Sequence, residues 1–284
     1  MNNEFETYEE RKERRREARD IFLQKSKFAI PSGITLLSIF CGFSSVVMSL
    51  NAATGGYEYL RYAAIFLILA GIFDGMDGRV ARITNTTSEF GVQLDSLADV
   101  TSFGMAPAIL AYQYGFVTLG SDPSLKFIGW GACFFYIACG ALRLARFNVQ
   151  NEQTDPRFFV GLPIPVAASG IATVVLHWPE TLSTKPHAFL FATELFILGI
   201  LMVSKIRFAT LKTSSTEGAR PFLRMFGFIF IMAMLVVFQS TFLFGLFIFT
   251  VGAGLLLNIA WMLGWTGVRP PEDHPPSSDT SPQV

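Results

Sequence analysis

Charge is scarce in this chain. Asp, Glu, Lys and Arg together make up 15% of its 284 residues, and 22 acidic side chains balance 22 basic ones. So few ionic groups exclude an ordinary soluble domain, and the zero balance argues against a nucleic-acid partner. Cysteine is nearly absent as well. Cys41, Cys133 and Cys139 lie in apolar segments without Cys-x-x-Cys or Cys/His spacing, so packing is expected of them and no disulfide framework or thiolate zinc site follows. His177, His187 and His274 are scattered at helix ends or in the C-terminal tail, which argues against histidine catalysis. No small-residue cleavage site follows the first apolar run, and the stretch before it is charged throughout. The first hydrophobic helix is therefore expected to stay in the membrane.

What is abundant is apolar surface: 51% of residues are hydrophobic, 29 are Phe, and the mean hydropathy is +0.43. These values point to an all-α integral membrane protein. Cutting the chain at its polar breaks gives eight stretches of spanning length, at 29–50, 58–80, 91–117, 125–147, 159–178, 187–204, 222–238 and 242–264. The last two come from an uncharged run, Met225 to Val268, divided at Gln239-Ser240-Thr241 because it is too long for one crossing.

Orientation follows from the Lys/Arg bias in short loops. With the N-terminus in the cytoplasm, the basic residues before the first span share a side with Arg79, Arg82, Arg143, Arg146, Arg157, Lys205, Arg207, Lys212, Arg220, Arg224 and Arg269. Only Arg61, Lys126 and Lys185 fall opposite. Both termini are then cytoplasmic. Residues 1–28 are expected to form a charged, solvated helix, and 266–284, rich in Pro and Ser, a disordered tail.

Four carboxylates break the apolar pattern. Asp74 and Asp77 are spaced i, i+3 near the cytoplasmic end of the second span, and Asp95 and Asp99 are spaced i, i+4 near the cytoplasmic start of the third. Each pair occupies one helical face, and the short turn from Ile83 to Phe90 makes the two helices antiparallel neighbours, so all four acids converge at one depth. Converging anions in a low dielectric need a counter-charge, and carboxylate oxygens suit Mg²⁺ or Mn²⁺. Intramembrane acids are costly, and helix packing alone does not require them. Gly75, Gly78, Ala81 and Gly91 surround them, leaving room for a bulky ligand or for a neighbouring helix. Arg82 lies one turn beyond Gly78, where a guanidinium could hold a phosphate; a metal beside an Arg suits a pyrophosphate.

The run Asp74-Gly75-Met76-Asp77-Gly78-Arg79-Val80-Ala81-Arg82, continued by Gly91, Asp95 and Asp99 at fixed spacing, matches in full the signature of the CDP-alcohol phosphotransferases. The resemblance implies a six-helix catalytic core, here 29–212, with a cytoplasm-facing cavity in a bacterial-type cytoplasmic or inner membrane. It also implies a divalent metal, a homodimer, and displacement of CMP from a CDP-linked lipid by an alcohol. By the same resemblance Asp74, Asp77 and Asp95 hold the metal. Asp99 takes the acceptor's proton, a task Asp95 could share, and Gly78, Ala81, Arg82, Gly91 and Asp74 hold CDP-diacylglycerol. Further stretches resemble the phosphatidylserine synthase branch: Ile30 to Thr35 with Phe40 to Phe43, Arg143 to Asn148, Phe159 to Pro165, and Leu201 to Ile206. Ser32 departs from the Asn usual in that branch. The two extra helices within 213–265, outside the core, suit it.

The branch implies L-serine as acceptor, and serine needs a cationic partner for its carboxylate. Arg143, Arg146 and Lys205 lie at cytoplasmic helix ends within reach of the acids; the alternative for each is snorkelling to lipid headgroups. Glu194, mid-span, has no assigned role. Pro163 and Pro165 are expected to kink the fifth helix. Other acceptors remain open, namely inositol, glycerol 3-phosphate or an amino alcohol, as does an ion-coupled transporter, which would spread its acids across the membrane depth.

Overall fold

A computed structural model describes residues 8–83, 88–117, 123–150, 158–178, 185–209, 241, 244–260 and 263, with backbone alone for 8–30, 82–83, 150, 158–159 and 207–209. Apart from one short ribbon, the described residues with regular structure are helical. Helix α1 (Tyr8–Gly55) joins the charged N-terminal stretch to the first apolar span in a single helix of 48 residues. The sequence reading had separated them at residue 28. Pro31 lies inside α1 and withdraws one backbone donor without ending it, and the helix stops only at Gly56, whose φ of 87° is the left-handed conformation that closes a helix. At roughly 70 Å, α1 is more than twice the thickness of a hydrocarbon core.

Helix α2 (Glu58–Ile83) runs back along α1. Its inward stripe is Leu60, Ala63, Ala64, Leu67 and Ala70, all buried and spaced three or four apart. Small side chains let helix backbones approach closely, and in lipid such packing, rather than the hydrophobic effect, drives association. The same stripe carried onward reaches Asp74 and Asp77. The sequence thus builds a packing face for most of α2 and then substitutes acids for alanines on it.

The third span is not one regular helix. It comprises α3 (Glu89–Asp99), a π-helical turn over Val100–Met105, α4 (Ala106–Tyr112) and a second π-helical stretch over Gln113–Val117. Helix α5 (Pro123–Gln150) follows, then strand β1 (Phe158–Val160), α6 (Ile164–His177), α7 (Lys185–Val203), strand β2 (Arg207–Ala209) and α8 (Phe244–Ala260). The two strands pair antiparallel, Phe159 opposite Phe208. The expected fifth span from 159 starts later, because Gly161 turns the chain at φ 79° and Pro163 caps α6. Pro163 and Pro165 therefore begin this helix instead of kinking it, Pro165 sitting in the first turn, where a missing N–H costs nothing.

Among the described residues, four helices are long and apolar enough to cross a membrane: Pro31–Gly55, Glu58–Ala81, Pro123–Val149 and Lys185–Val203. Helices α6 and α8 are apolar but shorter, and the expected span 222–238 lies outside the described residues. The core lies where α2, the third span, α5, α6 and α7 meet, around Phe103, Leu110, Tyr114, Tyr136, Ile164 and Leu195. α5 packs along α7, and α6 against α2.

Candidate active site

Helix α3 begins where Ser88, with extended backbone, turns its hydroxyl inward to accept the Gly91 N–H at 3.0 Å. That cap sets the rotation of the following turn, and with it the direction of the acids one and two turns on. Asp95 and Asp99 meet Asp74 from α2, so that one carboxylate oxygen from each of the three lies within 4.8 Å of the others. Asp74 and Asp99 are also hydrogen-bonded to each other. At such a separation each fully charged pair would repel by about 3–4 kcal/mol in a partly buried setting.

Asp77 is placed differently. It is 5% exposed, its carboxylate lies beside the Thr35 hydroxyl of α1 and the Gly78 N–H, and its Oδ2 is buried without a hydrogen-bond partner. Thus the three acids whose oxygens converge are Asp74, Asp95 and Asp99, with Asp77 close enough to act electrostatically on Asp74 and Asp95. An all-oxygen donor set with mutual repulsion to relieve, and a fourth carboxylate holding an unpaired buried oxygen, fits a hard divalent cation such as Mg²⁺ or Mn²⁺.

Arg143 of α5 supplies the facing positive charge. It is buried, at 7% exposure, and interacts electrostatically with Asp99. Its Nε has no hydrogen-bond partner, and its guanidinium carbon lies 5.8 Å from the Phe147 ring centroid. Arg146, one turn on, is committed elsewhere. Its Nη1 donates to the Val203 carbonyl at 2.9 Å, and its Nη2 to those of Val160 and Ser204 at 3.1 and 3.2 Å. Those carbonyls belong to the end of α7, the residue after it, and β1. A guanidinium closing a helix C-terminus answers both its unpaired acceptors and its dipole. Lys205, the third expected cation, is exposed between α7 and β2.

Around the acids, a side chain added at Gly75 or Gly78 would meet nothing within 4 Å, so that face of α2 is open. Gly91 is tighter, with the Ser88 Oγ 3.2 Å from where its Cβ would lie. Ala81 and Ser32 are half-buried on α2 and α1, and the Arg82 side chain lies outside the described residues. Glu194, on α7, has Tyr114 as its electrostatic neighbour, far along the bundle from the acids. The sequence reading missed Thr35 as a neighbour of Asp77, although the stretch containing it had drawn notice. It also missed Asn148, whose Nδ2 donates to the Ser96 Oγ at 2.9 Å and ties α5 to α3 between the acids' turns.

Comparison with known proteins agrees with this geometry. A family model described as CDP-alcohol phosphatidyltransferase matches residues 28–211. A Helicobacter pylori protein named CDP-diacylglycerol–serine O-phosphatidyltransferase is 40% identical over 191 residues, covering 65% of this chain and 73% of that protein. A Bacillus subtilis protein of the same name is 36% identical over 189 residues, covering 66% of this chain and 94% of the relative. A Saccharomyces cerevisiae protein, again so named, is 42% identical over 140 residues, or 46% of this chain and 48% of its own. With converging acids on the signature residues and a family match spanning most of the chain, this protein belongs to the CDP-alcohol phosphatidyltransferase family.

Proposed function

We propose that the chain is a CDP-diacylglycerol–serine O-phosphatidyltransferase, which moves the phosphatidyl group of CDP-diacylglycerol to L-serine and releases CMP. The observation that carries this reading is a buried Arg143 within electrostatic range of the acid cluster, within a family whose similar members bear that name. A serine carboxylate needs a desolvated cation, and Arg143 has a buried, unpaired Nε next to the reacting acids.

In the proposed reaction the serine hydroxyl oxygen forms a bond to the β-phosphorus of CDP-diacylglycerol. The bond from that phosphorus to the CMP oxygen breaks, and CMP leaves with the electron pair. Asp99 takes the hydroxyl proton, with Asp95 the alternative acceptor. Asp74, Asp77 and Asp95 would hold a Mg²⁺ or Mn²⁺ ion, which when bound supplies charge stabilisation at the pyrophosphate oxygens. Asp99 lies in the same cluster, so the proton acceptor sits against the ligand set. Gly78, Ala81, Arg82 and Gly91, with Asp74, hold the nucleotide-lipid; the open face at Gly75 and Gly78 supports this.

Arg143 is the proposed partner of the serine carboxylate. Arg146 and Lys205 flank it as secondary candidates, Arg146 bonded to three carbonyls and Lys205 exposed. Residues 29–212 form the catalytic core, 213–265 add two further spans for eight in all, and the site opens to the cytoplasm, where both termini lie. Support for that orientation is the Lys/Arg bias. The protomers pair as homodimers, as the family resemblance implies. The test is CMP release by purified protein supplied with CDP-diacylglycerol, Mn²⁺ and one alcohol at a time. Serine turnover is expected, and release with inositol or glycerol 3-phosphate but not serine would reject the acceptor.

A further inference from the structure

The third span departs from α-helical geometry directly after Asp99, and a proline accounts for it. In an α-helix the Phe103 carbonyl would accept from the N–H four residues on. That residue is Pro107, which has no N–H and whose ring crowds the same carbonyl. The backbone widens instead into the π-helical turn Val100–Met105, closed by the Ala106 N–H donating to the Thr101 carbonyl five residues back. The Phe103 carbonyl, 1% exposed as a residue, still needs a donor in the dry interior. Tyr136 of α5 provides it: its hydroxyl, on a fully buried side chain, donates to the Phe103 oxygen at 2.9 Å.

The other side of the wide turn is held by α1. Ser102 Oγ donates to the Ser38 carbonyl at 3.1 Å, and a Cβ at Gly42 would come within 2.8 Å of the Ser102 Cα, so the two backbones touch there. Tyr136 and Arg143 are seven residues apart on α5, two turns along one face. Phe103 and Asp99 are four apart on the third span. This hydrogen bond, with the Asn148–Ser96 bond one to two turns beyond Arg143 on α5, therefore registers the two elements that carry Arg143 and Asp99.

We propose that Tyr136 is a positioning residue for the acceptor side of the reaction: by pinning the Pro107-generated turn it sets Asp99 opposite Arg143. This rests on the reading of the site given above. Tyr136→Phe removes the hydroxyl and keeps the ring, so core volume is preserved. The kcat/KM for serine should fall roughly 10- to 100-fold, as a misplacement near 1 Å does, with both kcat and KM affected. The KM for CDP-diacylglycerol should change less, since Asp74 and Asp77 lie on α2, off this linkage, and of the three proposed metal-holding acids Asp95 alone shares the element with Asp99.

A second variant separates positioning from mere coverage of a polar atom. Pro107→Ala gives residue 107 an N–H for the Phe103 carbonyl, but lets the turn tighten. Tyr136→Phe/Pro107→Ala should regain thermal stability lost in Tyr136→Phe without regaining kcat/KM for serine, and it carries the test if the single variant fails to fold. Recovery of activity together with stability would overturn the proposal, as would unchanged serine constants in Tyr136→Phe. Wild-type turnover with another alcohol in place of serine would reject the acceptor alone, and the same variants would then be compared with that alcohol.

Discussion

The two walls of the site are built by different rules. On the α2/α3 side, regular helices carry acids at i, i+3 and i, i+4, and the helical repeat, with the Ser88 cap fixing the rotation of α3, delivers Asp74, Asp95 and Asp99 to one place, with oxygens within 4.8 Å. On the α5/α7 side, three cations that look equivalent in the sequence have three environments. Arg143 is buried within electrostatic range of Asp99, Arg146 is spent on three carbonyls, and Lys205 is exposed. Local periodicity is enough to find a site whose members share two adjacent helices. It does not reveal which cation closes a helix end, because the carbonyls that claim Arg146 come from segments 14 to 58 residues away.

The largest expected effect is on the acid wall. Excess EDTA should abolish CMP release, and Mn²⁺ or Mg²⁺ should restore it; full activity in chelator would remove the metal from the account. Asp99→Asn should lower kcat by about 10²- to 10⁴-fold, the usual worth of a positioned proton acceptor, with CDP-diacylglycerol binding retained. Asp74→Ala or Asp77→Ala should instead weaken binding of the nucleotide-lipid, measured by equilibrium binding in detergent micelles.

Next in size is the contrast between the two arginines. Arg143→Ala should raise the KM for serine by roughly tenfold or more, the value of a charge-assisted hydrogen bond, while leaving the lipid substrate's KM nearly unchanged. Arg146→Ala should mainly lower the melting temperature, since the exposed or part-buried carbonyls of Val203, Ser204 and Val160 lose hydrogen bonds worth about 1 kcal/mol each. Equal serine-specific defects in both variants would erase the distinction between the two arginines.

How far these outcomes could be foreseen depends on the element. The stripe of α2 and its continuation into Asp74 and Asp77 was legible, because burial there follows the helical repeat. The α5 and α7 spans agree with the structure to within a few residues. Less legible was the join of the charged N-terminal stretch to the first span, where the change in composition at residue 28 suggested a break although no breaker but Pro31 stands there. The third span read as continuous because Pro107 keeps the apolar pattern while altering the hydrogen-bond ladder. The ribbon of β1 and β2 pairs segments far apart in the chain, which no local pattern announces.

Two smaller effects sharpen the comparison further. Gly161→Ala should destabilise the ribbon by about 1–3 kcal/mol, because φ 79° disfavours a side chain and the new Cβ would run into the Met202 carbonyl oxygen. Thermal unfolding in detergent measures that loss. Lys205→Ala should change the serine KM by less than about threefold, as exposed charges usually contribute under 1 kcal/mol. A tenfold rise would move Lys205 onto the substrate.

Acceptor selectivity tests the central claim most directly. Purified wild-type and Arg143→Ala proteins, given CDP-diacylglycerol and Mn²⁺, are compared for CMP release with L-serine and with ethanolamine, which lacks the carboxylate. The account predicts that the wild type strongly prefers serine, forming phosphatidylserine and CMP in equal amounts, and that Arg143→Ala loses much more activity toward serine than toward ethanolamine. No turnover of serine by the wild type, or an equal loss toward both alcohols, would contradict it.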